Sequence, residues 1–332
     1  MAEAAADDAG PITFADLGIP QGPQLQESLL GKARSIKDLE RKEYVYTVVA
    51  VLTLVVTTGF TIYKISTVGR DNPDFTFALI LLTSSVFGIY YVVHGVLQER
   101  ATEIIIFSVA NFAVLMYLIV NYAAGSKDDI KLARLIIAVV LCPFLICAGV
   151  WIGVSYHQSG NLIFRTVGAS TELQRICRTV FFFFDILKFD LQLAISMVLL
   201  IVVPGKLNTE EIVVLSVGSV LCLAWFVLGF YGMKYENKIG AIMFLAMSPL
   251  EVAYVIYKLV KTASVMQRFG GLAGSTIVCG VIALVVRILV VIAAVLVIRS
   301  FNKGLKQKAF GIEEHQTGNI INAEDPGSSG AH

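Results

Sequence analysis

Charge is what this sequence has least of. Asp, Glu, Lys and Arg make up 15% of its 332 residues, where soluble domains carry about a quarter. That is too little to clothe a water-facing surface. Hydrophobic residues reach 56% and the mean hydropathy is +0.76, which excludes an ordinary soluble domain and implies an integral membrane protein. The charges nearly cancel, to +1, so no basic field exists to hold nucleic acid and none is expected as a partner.

Reactive side chains are equally thin. Cys142, Cys147, Cys222 and Cys279 lie within apolar runs and Cys177 just before one, without the spacing of a disulfide framework or a zinc site. The chain has no HExxH pair, histidine box, GxSxG elbow or phosphate-binding glycine loop in a usable context, so neither a metal, a cofactor nor an enzymatic activity is expected. No Asn-x-Ser/Thr acceptor occurs. The first residues are acidic and small, lacking the basic start of a cleaved signal peptide, and the first apolar run is expected to direct insertion.

What the chain has is long apolar runs. Eight segments, near 44–65, 75–97, 103–122, 132–155, 179–203, 211–231, 239–260 and 272–299, each approach the roughly twenty residues that cross a hydrocarbon core of about 30 Å. Lipid offers no partner for backbone amides, so segments this apolar must be helices. The fold class is therefore all-α, a polytopic bundle of about eight spans. The count falls to seven if the short third span is re-entrant. Residues 1–43 form a polar tail, 44–300 the membrane domain, and 301–332 a polar, largely disordered tail. Within the first tail, 24–42 reads as an amphipathic interfacial helix, with Leu29, Leu30, Ile36 and Leu39 to one side.

Lys and Arg divide fifteen to nine in favour of the side that holds the N-terminus, which places both termini in the cytoplasm. The longest connection, 156–178, is then cytoplasmic and reads as an interfacial helix leading into the fifth span. The protein is expected in the plasma membrane or an endomembrane, with the bilayer as its first partner. Small-residue pairs such as Ser84/Gly88 and Gly149/Gly153 allow close helix contact and are compatible with a homo-oligomer. No repeat is obvious, although eight spans leave room for a weak four-plus-four duplication.

The informative residues are the charges inside the runs. Asp185, Lys188 and Asp190 interrupt the fifth span, Glu251 the seventh and Arg287 the eighth. If all five faced lipid, the cost would be on the order of 10 to 15 kcal/mol. They are expected inside the bundle, as one layer. Asp185 and Lys188, three apart on a helix, can touch. Gln192 extends the Lys188 face, and Asp190 or Glu251 is expected to meet Arg287. Pro143 and Pro249 are candidate kinks in the fourth and seventh spans. His94, with Gln98, Glu99 and Arg100 beside it, and Asn111 are secondary candidates.

Charges at bilayer depth mark ion paths or buried pairs. The sequence therefore predicts a transporter or channel for a small solute or ion. The alternative is a receptor-like or scaffolding membrane protein that signals through 156–178 and the tails.

Overall fold

A computed structural model describes residues 26–28, 31–67, 69, 73–124, 129–202, 209–269 and 271–310. The protein is all-α apart from one small hairpin, β1 (Gln26–Ser28) against β2 (Gly31–Ala33). Eight long helices follow the predicted runs: α1 Arg41–Thr67, α2 Pro73–Leu97, α3 Ala101–Ala124, α4 Asp129–Ser159, α6 Thr171–Val202, α7 Thr209–Lys234, α8 Lys238–Phe269 and α9 Gly271–Ile298. Two short helices, α5 Asn161–Val167 and α10 Leu305–Phe310, come after α4 and α9.

Among the described residues, six helices are long and apolar enough to cross a membrane on those grounds alone: α1, α2, α4, α7, α8 and α9. In α3 the apolar stretch followed among the described side chains is Ala101–Met116. Asp185, Lys188 and Asp190 interrupt the apolar run of α6.

The interfacial helix expected over 24–42 is replaced by the hairpin and a single 3-10 turn, Ile36–Asp38. The reason is Arg34, whose backbone N–H donates to Leu97 O at 2.9 Å. That bond ties the segment to the end of α2, which a continuous helix lying on the membrane could not do. In the 156–178 connection, α5 is the expected helix. It starts after Gly160 in the left-handed region and stops at Gly168, φ 81°, whose N–H donates to Phe164 O at 2.8 Å. In the second tail, α10 is ordered helix, with Leu305 and Ala309 buried and Phe310 against Phe184. The rest of both tails, 1–25 and 311–332, lies outside the described residues, as do Leu29 and Leu30 of the expected interfacial helix.

The long helices form two rings of four. α1 to α4 pack around one another, and so do α6 to α9; the rings meet where α6 lies on α2 and α3. The rings repeat each other in detail. The turn after α2 places Glu99 at φ 47° and the turn after α7 places Glu236 at φ 51°, a conformation that few residues other than glycine adopt. Arg100 N–H donates to Gly95 O at 2.8 Å, and Asn237 N–H to Gly232 O at 2.9 Å. The carboxylates do the same work. Glu99 accepts from Leu162 N–H at 3.0 Å, just past α4, and Glu236 from Asn302 N–H at 2.9 Å, just past α9. Phe107 and Phe244 occupy matching buried positions on α3 and α8.

Each ring closes through glycine. Gly149 and Gly153 of α4 lie against Ser108, Tyr46 and Ile105, which is the close approach that small-residue spacing permits. A Cβ on Gly232 would come within 3.2 Å of the Gly240–Ala241 backbone, whereas one on Gly59 would meet nothing within 4 Å. Gly232→Leu is therefore expected to cost about 1–3 kcal/mol by overpacking and Gly59→Leu close to nothing. Thermal unfolding of both variants in detergent is the check, and equal midpoints would contradict this packing.

Candidate functional site

A helix puts residues three and four apart on one face. On α6 that face is Asp185, Lys188, Gln192 and Ser196, all buried, while Asp190 points elsewhere. The five charges expected in one layer are shared between more than one group of partners. They divide into two networks on two sides of α6.

The first network lies between the rings. Asp185 Oδ1 is 3.1 Å from Arg100 Nη1 and 3.2 Å from Lys188 Nζ. Lys188 also contacts Glu103 Oε1 and donates to Tyr90 OH at 3.3 Å. Glu103 in turn faces His94, Oε2 to Nδ1 at 2.7 Å. Arg100 donates through Nε to Gln98 Oε1 at 3.0 Å, and its guanidinium lies 3.9 Å from the centre of the Phe181 ring. Glu103 is 0% exposed, Asp185 1% and Arg100 3%. Two bases face two carboxylates, so the network is neutral while His94 is neutral. Asn111 stands apart, its amide bonded to Phe107 O one turn back.

At the end of α2 a third group adjoins the first. Arg34 Nη1 is 3.1 Å from Glu99 and Nη2 is 3.3 Å from Glu43, and Nη2 also donates to Val96 O at 2.9 Å. Burial pulls the guanidinium pKa down, but Glu99 and Glu43 outweigh it and hold it above the ordinary value. The hairpin is thus fastened by charge to the bundle end.

The second network lies inside the α6–α9 ring. Arg287 holds Asp190 with two parallel bonds, Nε to Oδ1 at 3.0 Å and Nη2 to Oδ2 at 2.6 Å. This fork-to-carboxylate geometry is specific to arginine. Its third nitrogen, Nη1, meets Glu251 Oε2 at 2.5 Å. The guanidinium sits 4.6 Å from the centre of the Trp225 ring and 3.6 Å from Cys222 Sγ. Asp190, Glu251 and Arg287 are each 1% exposed. Among the described residues, two carboxylates here meet one guanidinium.

A cavity of about 210 Å³ opens against this triad. Its walls are apolar side chains of α6, α8 and α9, among them Ile195, Val198 and Ala283. Its polar lining comes from Ser219, Tyr254, Glu251 and Arg287. An apolar pocket with a few convergent polar groups is the usual form of a small-molecule site. Gln192, 5% exposed, leaves its Oε1 without a hydrogen-bond partner among the described residues.

Pro143 and Pro249 lie within continuous α4 and α8 and point outward, so neither lines the networks or the cavity. Next to Pro249, Ser248 Oγ and Trp225 Nε1 both donate to Phe244 O, at 2.9 and 3.1 Å. Among the described residues no group of three or more His, Cys, Asp or Glu side chains could hold a metal ion.

Glu103, Glu43 and Arg34 were not candidates from the sequence. Glu103 lies three residues into α3, where an acid ordinarily serves the helix dipole, so only its pairing with Lys188 reveals its place. The signal available was its distance from the neighbouring bases: His94 lies nine positions before it, across a two-helix turn.

Breaking a buried pair from one side leaves a bare charge, at a cost of about 3–5 kcal/mol. Arg287→Met is expected to lose stability of that order, and Arg287→Met with Asp190→Asn and Glu251→Gln to recover most of it. Unfolding midpoints of the single and triple variants test this. A triple variant no more stable than the single one would contradict the geometry above.

The family model described as Domain of unknown function (DUF7789) matches residues 30–154 and 167–296. The two matched segments hold one four-helix ring each and part at the end of α4. No curated protein and no solved structure matches the chain. The match covers well over half of the sequence, and the chain belongs to the DUF7789 family.

Proposed function

We propose that the protein is an eight-span, multi-pass carrier or channel with cytoplasmic termini, and that it moves a small solute or ion through the α6–α9 ring. The observation that carries this reading is the cavity that ends on Glu251 and Arg287, where, among the described residues, the carboxylates of Asp190 and Glu251 face one guanidinium. A surplus carboxylate in a dry interior calls for a positive partner, either a proton or a cation. Asp190 is the fixed counter-ion that orients Arg287 through two parallel bonds, and Glu251, which meets Nη1 of Arg287 and lines the cavity, is the group that exchanges its partner. Lys188, Asp185 and Gln192 line the other face of α6 and couple it to α2 and α3.

Repeat architecture supports the same reading. Carriers built from parallel repeats, which are related by an axis along the membrane normal, work largely by rocking one half against the other. In this chain α6 joins the two rings through Asp185 and Lys188. Such a protein needs no covalent step and no cofactor.

A second reading, a receptor-like or scaffolding protein, is favoured by one observation. α5, α10 and the β2 strand gather at one end of the bundle and form a platform for a partner.

The two readings separate in proteoliposomes carrying a pH-sensitive dye and a panel of cations. Wild type is expected to show flux, and Glu251→Gln and Asp190→Asn to abolish it while eluting as folded protein. No flux from well-folded wild type under any gradient would overturn the transport reading and favour the platform.

A further inference from the structure

The rings differ at one seam. In the second ring α6 runs along α9, whereas in the first α1 touches α4 only lightly. The looser seam leaves an open groove of about 720 Å³ on the outer surface of the bundle. Its walls are apolar: Val45 and the ring of Tyr46 from α1, Phe144, Ala148 and Ile152 from α4. At its mouth stand Arg41, Lys42 and Trp151.

We infer that this groove holds an anionic phospholipid, with an acyl chain along the α1–α4 walls and its phosphate against Arg41 and Lys42. Three features of the mouth select that occupant. Trp151, 59% exposed, lies beneath Lys42 Nζ, 5.1 Å from ring centre to nitrogen, and tryptophan beside a base is the usual furnishing of the bilayer interface. Arg41 is exposed and has no partner among the described residues. The acid that would repel a phosphate, Glu43, is turned inward to Arg34 and is 3% exposed. Glu40 pairs with Lys42 at 2.7 Å, but both side chains are well exposed, and such pairs are weak and exchangeable. The walls explain why the ligand is a lipid and not a free phosphate, since an apolar groove facing hydrocarbon takes a chain. Basic residues at the cytoplasmic end of membrane helices favour anionic headgroups by about fivefold each. The inference is independent of transport.

Two tryptophans make the test direct. Trp151 lines the groove, while Trp225 is 0% exposed in the core. The full-length protein is placed in phosphatidylcholine vesicles containing a minor fraction of chain-brominated phosphatidylglycerol or, separately, chain-brominated phosphatidylcholine. The expected result is stronger quenching by the anionic lipid, equivalent to a local enrichment of roughly fivefold or more. Trp151→Phe removes the excess quenching. The double variant Arg41→Gln/Lys42→Gln brings it down to the phosphatidylcholine level, with quenching by phosphatidylcholine itself unchanged as the sign of intact fold. Equal quenching by the two lipids in wild type, or selectivity that survives in the double variant, would overturn the proposal. Trp151 insensitive to both lipids would also overturn it, because protein would then fill the groove.

Discussion

Every buried charge in this bundle must meet an opposite charge, and the path of the chain follows from that constraint. An uncompensated ion at mid-bilayer costs about 2.5–3.5 kcal/mol even on insertion scales, so the acids and bases of α2, α3, α6, α8 and α9 can sit only where their partners are. α6 carries the constraint in both directions. One face presents Asp185 and Lys188 to Arg100, in the turn before α3, and to Glu103 of α3, and another presents Asp190 to Arg287 of α9. A helix turns about 100° per residue, so sliding α6 by one position would strand both sets at once. The register of the central helix is therefore fixed by two independent groups of ion pairs, one at the boundary of the rings and one inside the second ring.

The two rings share a skeleton and differ in what it carries. The turns at Glu99 and Glu236 match in backbone conformation and in hydrogen bonding to the chain beyond the fourth helix. The contents diverge at the same positions. Where the first ring has Gly88 against Phe107, the second has Trp225 stacked on Phe244 at 4.4 Å, and that tryptophan forms the floor under Arg287. Arg100 and Glu103, which hold the boundary network, stand opposite Asn237 and Gly240 in the second ring. The two rings have the same frame, and the charged groups are distributed on it unequally. A site at one place in an otherwise repeated scaffold is where specific chemistry is expected.

Much of this was legible in the sequence because bilayer physics is nearly one-dimensional. Run length and apolarity locate the helices, and the polar interruptions at Asp185, Lys188, Asp190, Glu251 and Arg287 mark the interior. The Asp185–Lys188 contact follows from spacing along one helix. Cross-helix partners do not, because periodicity says nothing of which helix lies opposite. Glu103 and Arg34 were hidden for that reason: the first reads as a helix-start acid, the second as part of a surface helix. Spacing along α6 also turns Asp190 away from Asp185, but which helices meet its two faces, and so the division of the charges into two networks, could not be read from one helix alone. The repeat was hidden because few positions, such as Gly95 with Gly232 and Glu99 with Glu236, keep both residue and role. Apolar residues exchange freely at the others, since a lipid-facing helix asks little more than hydrophobicity.

The carrier role proposed above requires the boundary network on α6 to act as a clasp between two rings that move relative to one another. Spin labels at Tyr44 on α1 and Ile239 on α8, both exposed and near the end that holds the Glu99 and Glu236 turns, would report the separation of the rings in vesicles. The account predicts two distance populations in the wild type and a shift between them when Glu103→Gln removes a partner of Lys188. A single narrow distance, unchanged by that substitution in folded protein, would contradict it.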